Sequence, residues 1–286
     1  MINYSIGDDI QFIEESLDLG DRELANHLGV DRGTLIRWKN GSSKLTYNHL
    51  NSLYSLAYNN GLRINKAKND VLCDRYNSAH TKVLFHGAKE PMIGDAVRIV
   101  HEDKRNDFGD AFYCGESFEQ SATFVCSYPE ASVYTFVFHD EGLKHLVLDV
   151  SNEWMLAVSY YRGYLEKYKD HEIIRRLIDQ IESADCIIAP IADNRMFQII
   201  QEFARGNITD VQCSYCLSAT NLGLQYVFRT EAAVEQLECI ANNFITNEER
   251  NIYTNAQQEN HKISESKLKY AKREFRGQGK YIDELL

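Results

Sequence analysis

Residues 82–126 read KVLFHGAKEPMIGDAVRIVHEDKRNDFGDAFYCGESFEQSATFVC, and the reading of this stretch decides the fold. Val83, Leu84 and Phe85 form a short apolar run of strand character that leads into His86-Gly87, so an imidazole and a bare glycine backbone meet at the end of a strand. A mixed basic and acidic loop follows. Ala111-Phe112-Tyr113 after Gly109 reads as a second strand, and Phe118, Ala122 and Val125 recur at helical spacing beyond it. Strand, loop, strand, helix makes a cradle for a flat ligand.

Taken singly these residues are ordinary. A His-Gly pair at a strand end is more often structural than functional, and Tyr113 or Phe124 alone more often belongs to a core. The pattern as a whole resembles the ADP-ribosyltransferase superfamily, in the branch of the diphtheria toxin-like and poly(ADP-ribose) polymerase-like enzymes. It does so through His86-Gly87, then Phe108-Gly109-Asp110-Ala111-Phe112-Tyr113, then Ser121-Ala122-Thr123-Phe124, then a late strand QYVFRT beginning at Gln225.

The resemblance implies NAD as substrate and a role for each residue. Gly87 would offer its backbone to the nicotinamide carboxamide, which a side chain would obstruct. His86 would bond a ribose hydroxyl, Ser121 would reach the same carboxamide, and Tyr113 and Phe124 would flank the nicotinamide ring. The late strand departs from the pattern, because Gln225 stands where such enzymes usually carry Glu. An amide keeps a hydrogen bond to a ribose hydroxyl but supplies no negative charge to an oxocarbenium-like transition state. In that branch the change goes with transfer of a single ADP-ribose or with loss of activity. Glu231 is the nearest downstream carboxylate, and Thr230-Glu231-Ala232-Ala233 reads as a helix start that assigns it to capping.

Residues 1–66 form a separate helical pattern. Ile6, Ile10, Ile13 and Leu17 make one stripe, with Gly20-Asp21 expected to close that helix. Two short helices then flank the turn Leu28-Gly29-Val30-Asp31, and this part resembles the helix-turn-helix of the Cro and phage-repressor class, with Arg32 to Lys39 as recognition helix. That likeness implies base contacts from Asp31, Arg32, Gly33, Thr34 and Arg37, and phosphate contacts from Lys39, Ser42, Ser43 and Lys44. The structural alternative is a helical bundle used for dimerisation or partner binding. A single such module rarely grips operator DNA, so a homo-oligomer or a partner is implied.

Composition sets the limits. The 286 residues, 44% apolar, suffice for a full core and two domains. No apolar run is long enough to span a bilayer and the N-terminus shows no signal-peptide pattern, so a cytoplasmic protein without membrane contact is expected. Seven scattered cysteines suit reduced thiols, and Cys213-Ser-Tyr-Cys216 alone is weak evidence for a metal, so none is expected. The net charge is −11. Residues 1–66 carry seven basic and eight acidic side chains and residues 248–286 carry eight and seven, which leaves the acidic surplus in residues 67–247. Any nucleic-acid contact must therefore be local rather than through a global field.

The expected organisation is α+β: an all-α helix-turn-helix domain over 1–66, a short structured linker over 67–80, a split-sheet ADP-ribosyltransferase-like domain with helical insertions over 81–247, and a charged helical tail over 248–286. Within the third segment, Val133 to Phe138, Leu146 to Val150 and Cys186 to Pro190 read as strands; Trp154 to Tyr168, Glu172 to Ile181 and the run closed by Gly206 read as helices. Tyr160, Tyr161, Tyr164 and Tyr168 fall at helical spacing as a packing face. Asp193, Asn194 and Arg195 sit at a helix entry, where Arg195 could meet a pyrophosphate, although capping by Asp193 or Asn194 is the plainer account. The tail reads as a solvated helix or partner-docking arm that breaks at Arg276-Gly277.

Residues 82–240 also resemble a set of bacterial ADP-ribosyltransferase-like domains of unassigned role, often with Gln at the Glu position, found beside small partner genes and sometimes fused to helix-turn-helix modules. That implies an NAD-dependent mono-ADP-ribosyltransferase acting on a protein or nucleic-acid acceptor, of the toxin–antitoxin or phage-defence kind, with DNA and a small antitoxin as partners. The alternative is a transcription regulator whose transferase-like domain is inactive and senses NAD or holds a partner. A pure interaction scaffold would bind no NAD.

Overall fold

The structure is a computed structural model that describes residues 5–90, 92, 97–99, 106–192, 194–218 and 223–286. In chain order its elements begin α1 Ile6–Leu17, α2 Asp21–His27, α3 Arg32–Lys39, α4 Tyr47–Asn59, α5 Ile64–Tyr76, β1 Thr81–Ala88, β2 Phe112–Gly115, α6 Phe118–Val125 and β3 Ser132–His139. They continue β4 His145–Val147, α7 Asn152–Tyr161, α8 Glu172–Glu182, β5 Cys186–Pro190, α9 Asn194–Ala204, α10 Asp210–Ser218, β6 Leu224–Phe228, α11 Glu231–Val234, β7 Leu237–Phe244, α12 Asn247–Glu274 and α13 Ile282–Leu285. The chain is α+β, with a helical N-terminal region followed by strands of mixed pairing and further helices. Among the described residues no helix is long and apolar enough to cross a membrane.

Two compact units emerge, and neither is one continuous segment. The first gathers residues 1–95, 118–139 and 238–254; the second gathers 96–117, 140–237 and 255–286.

In the first unit Ser5 and Asp8 close a capping box on α1, with Ser5 N donating to Asp8 Oδ2 at 2.7 Å. The helix ends at Asp18, whose left-handed φ of 52° turns the chain, so Gly20 starts α2 rather than closing α1. Asp31 caps α3 by accepting from Thr34 N at 2.9 Å. Ile10, Ile13, Leu24, Leu35 and Trp38 form the core beneath these helices. Phe244 joins the same core, stacked on Tyr54 with ring centroids 5.6 Å apart.

The expected linker is the helix α5. Its inward face is polar: Asn65 Nδ2 donates to Phe244 O at 2.7 Å, and Thr135 Oγ1 donates to Asn69 Oδ1 at 2.8 Å. Residues 64–76 therefore belong to the body of this unit, together with β1, β3 and β7, and the boundaries at 66 and 80 do not separate domains. Strand β1 pairs antiparallel with β3, placing His86 opposite Tyr134 and Gly87 opposite Val133, and β3 is bonded in turn to β7.

In the second unit four strands run in the order β4-β5-β6-β2, parallel between β4 and β5 and antiparallel elsewhere. Helices α7, α8 and α9 cover a core that includes Trp154, Leu177, Ile187, Ile200 and Val227. Ser151 and Thr230 cap α7 and α11, each such cap contributing about 1 kcal/mol. Helix α7 stops at Tyr161 and a single 3-10 turn spans Glu166–Tyr168, so the tyrosine face is split between them, though all four rings pack on this core.

The charged tail is not a free arm at its end. Ile282 is 1% exposed in the second unit's core, Leu285 and Leu286 pack beside it, and Asp283 accepts from Lys167 Nζ at 3.1 Å and from the Tyr168 hydroxyl.

Candidate functional site

In the first unit, Val83 and Phe85 are buried in a cluster with Phe118, Ala122 and Val125 of α6. Alternation along β1 puts Gly87 on the face of Phe85 and turns His86 to the opposite face. A Cβ on Gly87 would stand 2.5 Å from the carbonyl oxygen of Ser121 and 3.0 Å from Val125 Cγ1. Ser121 itself is buried and donates its hydroxyl to Phe85 O at 3.0 Å. Gly87 and Ser121 are thus brought together at a strand–helix contact, His86 leaves on the other side half-buried, and Phe124 is 52% exposed.

The bare backbone at 87 is accounted for by this close approach of α6 to β1. Gly87→Ala should lower stability by about 1–3 kcal/mol, because α6 must shift to admit the methyl group. Urea unfolding tests this, and an unchanged midpoint would return the glycine to a purely ligand-facing role.

In the second unit, Tyr113 pairs with Val227 and Gly115 with Gln225 across β2 and β6. Registered partners in an antiparallel pair share a face, so Tyr113 and Gln225 project from the same side of adjacent strands, two positions apart. Tyr113 is half-buried; its hydroxyl donates to Gly109 O at 2.6 Å and accepts from Phe108 N at 3.2 Å, strapping the turn that precedes its own strand. Burial, reinforced by the charge of Asp107, pushes that hydroxyl far above the usual phenol range, so it stays protonated. Gly109 needs its glycine, with φ at 77° and the Tyr161 ring 3.0 Å from where a Cβ would lie.

Gln225 is 6% exposed, and its Nε2 donates to Asp107 Oδ2 at 2.9 Å and to Pro190 O at 3.0 Å. Asp107, 5% exposed, also takes Arg162 Nε at 3.0 Å and NH2 at 2.7 Å on Oδ1, and Ala192 N at 3.2 Å on Oδ2. The Arg162 guanidinium lies 3.3 Å from the centroid of Phe197. Asp107 and Arg162 were missed by sequence reasoning. The one local signal was an acid directly before Phe108-Gly109; the arginine lies 55 positions away. Asp193 lies outside the described residues, as do the side chains of Asn194 and Arg195.

Among the N-terminal helices, Lys39 turns inward instead of out to a phosphate. Its ammonium lies 2.5 Å from Glu14 Oε2 and 3.0 Å from Asp21 Oδ1. Burial alone would lower its pKa, but those two carboxylates raise it. Arg32 is held by Asp21 at 2.9 Å, and Thr34 donates to Asp31 Oδ2 at 2.6 Å while accepting from Arg37 NH2 at 2.6 Å. Lys44 is exposed.

A separate cleft of about 170 Å³ in the first unit is lined by Arg63, Lys66, Phe118, Glu119 and Glu249 with Tyr58 and Tyr253, and holds none of the residues to which the sequence assigns a ligand contact. Burial raises the Glu249 carboxyl despite hydrogen bonds from Thr246 and Asn65. Cys213 and Cys216 are fully buried, and burial pushes the Cys216 thiol up to about 11. Among the described residues no cluster of three His, Cys, Asp or Glu side chains is placed to hold a metal ion.

These features define an α+β protein with a buried polar cluster on one face of a strand pair. The chain belongs to the family described as Protein of unknown function (DUF3990), whose family model matches residues 82–239, more than half of the 286. No curated protein and no solved structure matches it.

Proposed function

We propose that this chain is an NAD-dependent mono-ADP-ribosyltransferase, with its N-terminal helices serving as a helix-turn-helix DNA-binding module. The observation that carries the reading is the placement of Tyr113 and Gln225 on one face of adjacent strands, two register positions apart, in a chain that also has His86-Gly87 and Ser121-Ala122-Thr123-Phe124 in the superfamily's order. In the reaction the bond from ribose C1 to nicotinamide breaks, and its electron pair leaves with nicotinamide. An acceptor nucleophile then attacks C1 and gives up its proton. Tyr113 of the second unit would flank the nicotinamide ring, while the roles of His86 toward a ribose hydroxyl, of Gly87 and Ser121 toward the carboxamide and of Phe124 beside the ring, all in the first unit, are carried by the resemblance alone. Gln225 would bond the ribose through its carbonyl oxygen, since its two N–H groups have internal acceptors.

On the DNA side, Arg37 and Lys44 carry the phosphate and base contacts in this reading, while Lys39 braces α3 against α1. Antitoxin-like control by a small partner remains part of the proposal, and so does action as a toxin or phage-defence effector.

One observation favours a second reading, a regulator that binds NAD without turning it over. Asp107 beside Gln225 is already neutralised by Arg162, so its charge is not available to a developing cation. Incubating the full chain with NAD labelled in the adenosine half, alongside protein, RNA and denatured DNA, separates the two. Transfer or nicotinamide release that falls on the order of 10²-fold in Gln225→Ala is the expected result. Binding without release supports the regulator, and absence of both binding and release sinks both readings.

A further inference from the structure

An amide carries two donors on nitrogen and one acceptor oxygen, whereas a carboxylate carries acceptors only. At Gln225 both N–H groups point at lone pairs, those of Asp107 Oδ2 and Pro190 O. Exchanging oxygen and nitrogen of the amide would set an acceptor against both, so the assignment follows from the partners. Among the described residues no hydrogen bond is made to its carbonyl oxygen, which is the group left to offer. Asp107 cannot retreat, because Arg162 grips Oδ1 twice and Ala192 N holds Oδ2.

We infer that Asp107 is a positioning residue that dictates an amide at position 225, so that the strand presents one neutral acceptor and excludes a carboxylate there. A glutamate at 225 would face Asp107 and the Pro190 carbonyl with like-signed oxygens and no proton between them. The substitution that superficially restores an acidic residue at this position is therefore expected to harm the protein. The inference bears on the transferase reading above, but it stands on geometry that holds whether or not NAD is the ligand.

The charged and titratable groups facing this position, among the described residues, are Asp107 with Arg162 behind it, Tyr113 from β2 and Arg229 at the end of β6. Arg229 is committed to Phe108 O at 3.1 Å, and Tyr113 keeps its proton through the neutral range. In Gln225→Glu the new carboxyl has its pKa raised above the unfolded value of about 4.3 by Asp107 and burial. The folded state then holds a proton that the unfolded state has lost, so stability falls as pH rises above that value and the loss is complete once pH passes the folded pKa.

The test is thermal unfolding of the full chain as wild type, Gln225→Glu and Asp107→Asn/Gln225→Glu at about pH 5 and about pH 8. The single variant should lie close to wild type at the lower pH, where a protonated carboxyl can donate to Asp107, and fall by roughly 5 °C or more at the higher. The double variant, in which the new amide at 107 can donate to the new carboxylate at 225, should recover part of that fall. If nicotinamide release is detectable in the wild type, the single variant should show no gain in it at the higher pH. A Gln225→Glu midpoint that tracks wild type at both pH values overturns the inference, as does a double variant no better than the single one. Absence of NAD turnover in the wild type would strike the transferase reading alone and leave the unfolding result to decide this one.

Discussion

Replacing Lys68 by methionine is expected to cost the first unit about 3–5 kcal/mol. Lys68 on α5 and Asp9 on α1 form an ion pair at 3.0 Å with side chains 4% and 7% exposed, and the Tyr54 hydroxyl donates to the same Asp9 oxygen at 2.5 Å. Burial and the Asp9 charge together push that hydroxyl well above the usual phenol range, so Tyr54 remains a donor. Methionine fills much of the volume of the lysine stem but leaves a carboxylate in a nearly dry interior with one neutral partner. Removing the acid as well, in Asp9→Ala/Lys68→Met, should return much of the loss, since the desolvation of both charges disappears with them. The chain's two tryptophans fall one to each unit, Trp38 at 4% exposure and Trp154 at 0%, so urea unfolding read from Trp38 in a Trp154→Phe background follows the first unit. A cost below about 1 kcal/mol would mean that the pair is solvated like a surface pair.

The same residues explain what could be read from the amino-acid order. Helix α3 runs Arg32–Lys39 as expected, because Asp31 is a local N-cap and Gly29 a local turn. Strand β5 and helix α8 were legible for a similar reason: an apolar run and a helical apolar stripe each carry their own signal. Helix α5 was not. Between the buried Ile64 and Leu72 its inward stripe is Asn65, Lys68 and Asn69, and these polar side chains find a reason to be buried in partners far along the chain, Asp9, Phe244 and Asn243. The tail misled in the opposite way, since the charge of α12 concealed that Ile282 beyond it seats in a core. At the candidate site the residue types and their order were visible, but the register that brings Tyr113 and Gln225 to one face, set between strands far apart in the chain, was not. Which atom of Gln225 is free to act was hidden too, because that depends on Asp107 and on a carbonyl at 190 that no motif encodes.

Arg162→Met should cost the second unit about 3–5 kcal/mol and disorganise the Gln225 cluster with it. Asp107 has two kinds of partner, a guanidinium that balances its charge and two neutral N–H donors from Gln225 and Ala192 that do not. Methionine can pack against Phe197, over which the guanidinium now lies, so the apolar contact is largely kept and the loss reports the unpaired carboxylate. The double variant Asp107→Asn/Arg162→Met separates the two contributions. It keeps an oxygen able to accept one N–H while removing the charge, so it should be more stable than Arg162→Met alone by about 1–3 kcal/mol. Unfolding followed by Trp154 in a Trp38→Phe background gives the numbers, and a double variant weaker than the single one would mean that Arg162 acts by shape and not by charge. The outcome also bears on function. A buried ion pair contributes little net stability compared with well-packed apolar residues, so one set directly behind a strand-borne amide is better understood as fixing that amide's orientation than as holding the sheet together.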